Sequence, residues 1–227
     1  MQHQGKRRLI ITIDGPAGAG KSTVAKRLAS HLGYLYLDTG ALYRAVALQV
    51  RATGVNPADE QAVSAVLPST RISMEQHADR LQVRVNDRDV TQKIRTPQIS
   101  EIASTISAIP AVREWLFPVQ RELAAEGGVV AEGRDAGTRV FPGADVKFFL
   151  DADLAVRARR RQQELTAAGH AVKLQQTMDD ICARDARDRG RDLAPLVPAS
   201  DALVIDTSTL QIDQVVERMM GAISTKL

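Results

Sequence analysis

Cysteine is almost absent from this chain of 227 residues, with Cys182 standing alone. A single thiol cannot close an intramolecular disulfide, so an apolar core must hold the fold, and the usage fits a reducing compartment. Cys182 shares its segment with Met178 and Ile181 and reads as a packed rather than a reactive residue. Long apolar runs are missing too: none approaches the roughly 18 residues that would indicate a membrane span. The basic start, MQHQGKRR, leads only into LIITI before Asp14 interrupts. That run is too short for a secretory segment and reads as a strand, so a cytoplasmic protein without a membrane partner is expected. Charge of one sign is also lacking. Thirty basic residues face 27 acidic ones, a net +3. This balance excludes a general polyanion binder but permits local basic pockets. The four histidines, His3, His31, His77 and His170, show no ligand spacing, so no protein-bound zinc is expected.

Five short apolar runs are present: LIITID (9–14), YLYLD (34–38), VVAE (129–132), VKFFL (146–150) and ALVID (202–206). Stretches that read as helical lie between them. Near-continuous apolar strands alternating with helices indicate an α/β fold, here a five-stranded parallel sheet. Asp14, Asp38 and Asp206 end three of the runs and Asp151 follows a fourth. The carboxyl edge of such a sheet is where ligands bind. Between the second and third runs the pattern changes. LQVRV alternates with period two and Asn86-Asp87 offers turn chemistry, so residues 68–100 read as a small antiparallel β insertion. The expected organisation is a core of 1–67 and 101–227 with this insertion between.

GPAGAGKS, Gly15 to Ser22, satisfies the pattern G-x-x-x-x-G-K-[ST] in full. It follows a strand and opens the amphipathic stretch STVAKRLASHLG, which is the context the motif requires. Gly15, Gly18 and Gly20 let successive N–H groups turn toward one anion, and the helix N-terminus adds positive partial charge. Residues Gly15, Pro16, Ala17, Gly18, Ala19, Gly20, Lys21, Ser22 and Thr23 are therefore expected to bind ATP. Lys21 would reach the β- and γ-phosphates, and Ser22 would offer its hydroxyl to Mg²⁺.

Two classes of phosphate-loop protein are disfavoured by what is missing. No Asn-Lys-x-Asp segment reads guanine, and no candidate strand ends in the Asp-Glu of a motor ATPase. A small phosphoryl-transfer enzyme remains, and its transition state needs guanidinium groups. Arg157, Arg160 and Arg161 share one helical face at i, i+3, i+4, with Arg159 beside them. Arg184, Arg187, Asp188 and Arg191 line another segment, and a tip around Gly169 joins the two. Residues of about 157–188 thus read as a helical lid, with Arg157, Arg160 and Arg161 as catalytic cations. Solvated, salt-bridged helix faces are the other reading of these runs. Residues 179–192 hold five Asp against four Arg, so nucleic acid is not an expected partner.

VVAEGRDAGT (129–138) drives an apolar strand straight into Gly133, Arg134 and Asp135. A salt-bridged surface turn would look like this, and so would a site reading a small polar ligand. Taken together, ITIDGPAGAGKST, LDTGALYRA, RDAGTRVFPGADVKFFLDA and RDRGRDLAPLVPASDA resemble the bacterial cytidylate (CMP) kinases, in order, over about residues 9–220. The resemblance implies phosphorylation of CMP, and of dCMP, by ATP with Mg²⁺, in a monomer with an insertion over the monophosphate. It assigns CMP contacts to Thr39, Ser104, Arg113, Arg134, Asp135, Arg184, Asp188 and Arg191. Among these, Ser104 and Arg113 help recognise cytosine, Arg134 and Arg191 hold phosphate, Asp135 reads the base, and Arg184 and Asp188 lie near the ribose. Glu132 stands where many members carry Asp, and through water it would steer the Mg²⁺ shell.

Cytosine offers an exocyclic amine that a carboxylate can accept from, whereas uracil presents a carbonyl there. An Asp135 facing that carbonyl would be left unpaired, at a cost of about 1–3 kcal/mol. A small-metabolite kinase such as a shikimate kinase, or a non-catalytic ATP-binding regulator, are the alternative functions.

Overall fold

The computed structural model describes residues 8–77 and 80–226. Along the chain, β1 (Ile10–Asp14) leads through the glycine loop into α1 (Lys21–Leu32), followed by β2 (Leu35–Asp38), α2 (Thr39–Thr53) and α3 (Glu60–Val66). Next come β3 (Ile72–His77), β4 (Arg80–Val85) and β5 (Arg88–Asp89), then α4 (Pro97–Ile106) and α5 (Pro110–Glu122). The remainder is β6 (Val129–Glu132), β7 (Val146–Asp151), α6 (Leu154–Ala167), α7 (Leu174–Arg189), β8 (Leu203–Asp206) and α8 (Ile212–Ser224). Each of the five apolar runs has become a strand. They form one sheet in the order β2-β6-β1-β7-β8, and β3-β4-β5 form a separate antiparallel sheet.

Contacts divide the chain into two compact units: residues up to 34 with those from 126 onward, and residues 35–125. In the first unit, β1 lies between β6 and β7, parallel to both, with Ile13 opposite Glu132 and Asp14 opposite Phe149. Leu9, Ile11, Thr12 and Ile13 are fully buried, as are Val130 and Ala131, so these strands are covered on both faces. The run 202–206 differs. Leu203 and Val204 of β8, one of the two edge strands of the sheet, are exposed. All five strands end in a carboxylate: Asp14, Asp38, Glu132, Asp151 and Asp206. A rim of that sign must be balanced by cations or by N–H donors before it can receive an anion.

In the second unit, β4 pairs antiparallel with both β3 and β5. Asn86 and Asp87 sit at φ 48° and 63°, the left-handed pair of a tight hairpin turn, matching the turn chemistry seen in the sequence. Met74, Val83 and Val85 are buried, and α2 packs on β4 and on α4. These contacts give the unit its extent of 35–125, which is wider than the 68–100 stretch where the sequence pattern changes. No helix among the described residues is long and apolar enough to cross a membrane.

Candidate functional site

Between β1 and α1 the loop adopts glycine-only backbone. Gly15 has φ 142°, and a Cβ there would stand 1.9 Å from the Leu150 carbonyl oxygen. At Gly18, φ 78°, a Cβ would fall within 3 Å of the Arg157 backbone. The loop is thus pressed between β7 and the start of α6. Its carbonyls are already engaged. Pro16 O accepts from Lys21 Nζ at 2.6 Å, Ala17 O from Arg157 at 3.2 Å, and Ala19 O from the Thr207 hydroxyl at 3.1 Å. No side chain caps α1, which leaves its first N–H groups for a ligand.

Lys21 is buried and its ammonium is held down to about pKa 7, first by burial and then by the positive charge of Arg134, with Glu132 opposing. Such a lysine is a cation in want of an anion. Ser22 donates its hydroxyl to Glu132 Oε2 at 2.9 Å. A hydroxyl and a carboxylate side by side form a hard-oxygen donor set suited to Mg²⁺ or to its bound waters. Among the described residues no group of three or more His, Cys, Asp or Glu is arranged to hold a metal. A metal here would rely on nucleotide oxygens as well.

The segment after β6 carries the second cluster. Asp188 of α7 is buried and its two oxygens hold two guanidiniums: Arg134 Nε donates to Oδ2 at 3.0 Å, and Arg191 Nη2 donates to Oδ1. Arg184 lies 3.9 Å from Oδ2. Burial would raise the Asp188 pKa, but Arg134, Arg191 and Arg184 outweigh it and hold the carboxyl below its ordinary value. Three arginines thus converge on one buried carboxylate. Asp135, also buried, follows Arg134 and leads into a turn, Ala136–Val140, with wide i to i+5 bonds such as Phe141 N to Ala136 O at 2.7 Å. Such π turns are rare, and they concentrate at functional sites.

The α6 arginines separate. Arg157 is buried, donating to Ala152 O, Ala17 O and, at 2.6 Å, Asp185 Oδ2. Arg160 donates to the hydroxyl and the carbonyl of Thr207 at 3.0 and 2.7 Å. Both therefore flank the glycine loop. Arg161 instead pairs with Glu164 at 3.0 Å on a half-exposed face. The connection between α6 and α7 contains Gly169 at φ 86°.

Three of the residues assigned by resemblance lie in the second unit. Thr39 is buried at the first position of α2, whose N-cap Asp38 accepts from Ala41 N and Arg44 Nη2 at 2.9 and 2.6 Å. Arg113 is 1% exposed, with Tyr43 and Phe117 ring centroids 5.7 Å from its guanidinium carbon. It donates to Ser107 O at 3.0 Å, and Ser107 in turn donates to Ser104 O at 2.8 Å. Ser104 and Arg113 are thereby linked through one residue.

Two groups at this site had no signal in the sequence pattern, and a third, Asp14, was marked only as a strand end. Asp185 anchors Arg157, Thr207 ties the loop to Arg160, and Asp14 binds the turn after Asp135. Their partners are remote in sequence, so neither spacing nor motif marks them. One expectation is corrected: Cys182 is exposed. The buried side of α7 runs through Thr177, Ile181, Asp185 and Asp188, and residue 182 lies about 100° around the helix from Ile181.

Comparison with known proteins follows this geometry. The family model described as cytidylate kinase matches residues 11–225. A cytidylate kinase of Geobacter sulfurreducens is 47% identical over 219 residues, covering 96% of this chain and 94% of that protein. One of Geobacillus kaustophilus is 46% identical, covering 98% and 99%. Among solved structures, an uncharacterized protein from Eubacterium ventriosum superposes with TM-score 0.54 at 14% identity, covering 96% of this chain and 99% of that one, a likeness of fold alone.

Proposed function

This chain belongs to the cytidylate kinase family of phosphotransferases, and from that premise we propose that it transfers the γ-phosphoryl group of ATP to CMP, and to dCMP. ATP lies on Gly15–Thr23, its phosphates met by the loop N–H groups and Lys21. The proximity of an anion restores Lys21 to its charged form. The Ser22 hydroxyl and, through water, Glu132 would hold Mg²⁺, which would supply charge neutralisation to the triphosphate. Arg134 and Arg191 hold the CMP phosphate, Arg184 and Asp188 lie toward the ribose, and Asp135 accepts from the cytosine amine. Thr39, Ser104 and Arg113 complete CMP recognition.

A CMP phosphate oxygen attacks the γ-phosphorus in line, the bond to the bridging oxygen breaks, and ADP leaves. No general base is needed, because a phosphate monoester is largely dianionic near neutral pH, with a second pKa of about 6. Catalysis is positioning plus charge stabilisation. Arg157 and Arg160 contribute beside the loop, and Arg161 joins once it exchanges Glu164 for phosphate as 157–188 closes. The protein acts as a cytoplasmic monomer with no nucleic-acid or membrane partner.

The observation that carries this reading is the cationic crowding around Lys21, where burial first and then Arg134 and Arg184 depress its pKa against the opposing Glu132 and Asp14. Strongly perturbed charges of this kind concentrate at functional sites. ADP release measured with CMP, dCMP, UMP, AMP and shikimate tests it. CMP and dCMP should turn over fastest; turnover only with shikimate, or with no acceptor at all, refutes it.

A further inference from the structure

The molecule contains a buried carboxylate that the chemistry above does not use. Asp14 closes β1 and immediately precedes Gly15, the first residue of the phosphate loop. It is 4% exposed. Its Oδ1 accepts from the Ala136 N–H at 2.8 Å and its Oδ2 from the Gly137 N–H at 2.7 Å, bridging 122 and 123 residues of chain. Those two donors open the π turn that follows Arg134 and Asp135 directly.

Three features make this more than a turn cap. First, a carboxylate is the side chain that can accept from both N–H groups at once, whereas the isosteric amide presents a donor to one of them. Second, the turn lies flat on β1. A Cβ at Gly137 would come within 2.7 Å of Thr12 Oγ1 and 3.3 Å of Asp14 Oδ2, so glycine is what allows the approach. Third, the group is costly to keep. Burial raises the Asp14 pKa to about 6 despite both N–H bonds, with the Asp135 charge adding to the rise. Asp14 thus holds the start of the ATP loop and the segment assigned to CMP at a fixed separation.

We propose that Asp14 is a positioning residue: through the Ala136 and Gly137 N–H groups it fixes Arg134 and Asp135 in register with the phosphate loop, and so sets the affinity and base selectivity for the acceptor nucleotide. The selectivity part rests on the CMP kinase reading; the tie itself does not. Asp14→Asn in the full chain removes one of the two bonds, and Gly137→Ala pushes the turn off β1. Amide hydrogen exchange at residues 136 and 137 is measured in the unliganded protein, together with Tm and separate KM values for CMP and ATP. In either variant that retains its Tm within a few degrees, exchange at the two amides should speed about tenfold or more. The CMP KM should rise about tenfold and preference over UMP should fall, while the ATP KM changes less than about threefold. Unchanged exchange overturns the tie. Faster exchange with unchanged CMP KM and selectivity, or an equal rise in both KM values, overturns the positioning role. A wild-type protein that does not phosphorylate CMP would instead sink the reading of function, while the exchange result would still decide the tie.

Discussion

The phosphate loop and the arginine cluster around Asp188 both gather positive potential, by opposite means. The loop is contiguous, Gly15 to Ser22, and works through backbone N–H groups and a helix end. The cluster joins residues 54 apart, Arg134 and Asp188, and works through side chains alone. Backbone donors stay in place when one side chain changes, and only loss of a glycine or of Lys21 is severe. In the cluster one carboxylate meets three guanidiniums, so its removal should loosen them together. On the proposed function, the contrast separates a donor site for a common triphosphate from an acceptor site for cytidine monophosphates.

The strongest way to break the contrast is at its most contiguous element. Lys21→Ala should lower kcat by about a hundredfold or more with the fold retained, since a charge meeting the transferring phosphoryl is lost. Near-normal turnover in a steady-state assay would remove the loop from the mechanism. Next in size, Asp188→Asn should lower kcat/KM for CMP about ten- to a hundredfold while the ATP KM moves little, because Arg134 and Arg191 lose their shared carboxylate. An equal effect on both substrates would show that the two regions are not separate in energy.

Smaller effects sharpen the same line. Arg161→Ala should cost less than Arg160→Ala in kcat, since Arg160 is bound beside the loop through Thr207 whereas Arg161 is spent on Glu164. The reverse order would place the closed lid's charge on the outer face. The smallest concerns acid stability. The Asp188 carboxyl is held below the ordinary aspartate value of 3.8, so its contribution is complete above about pH 4 and lost as pH falls through the lowered native value. Urea unfolding of Asp188→Asn should therefore show less loss of stability than wild type on acidification below pH 4.

Much of this was written in local pattern. Apolar runs located the five strands, although β8 at one edge keeps an apolar sequence while exposing Leu203 and Val204. Asn86-Asp87 marked its hairpin, and GPAGAGKS marked its loop. The contacts that organise the acceptor side were illegible for one reason. Asp14 meets Gly137, and Arg157 meets Asp185, only after the strands and helices have packed. Helical periodicity placed Arg157, Arg160 and Arg161 on one face, but it could not reveal that two turn toward the loop while the third turns outward. Cys182 was misread because its apolar neighbours lie on the adjacent, buried stripe of α7.

The central claim of the proposed function is that Asp135, a buried carboxylate three residues beyond β6, reads the exocyclic amine of the acceptor base. The ratio of kcat/KM for CMP over UMP, compared between wild type and Asp135→Ala, tests it most directly. The account predicts that the variant's ratio collapses by about ten- to a hundredfold, the loss of a hydrogen bond to a charged group. A ratio unchanged by the substitution would contradict it.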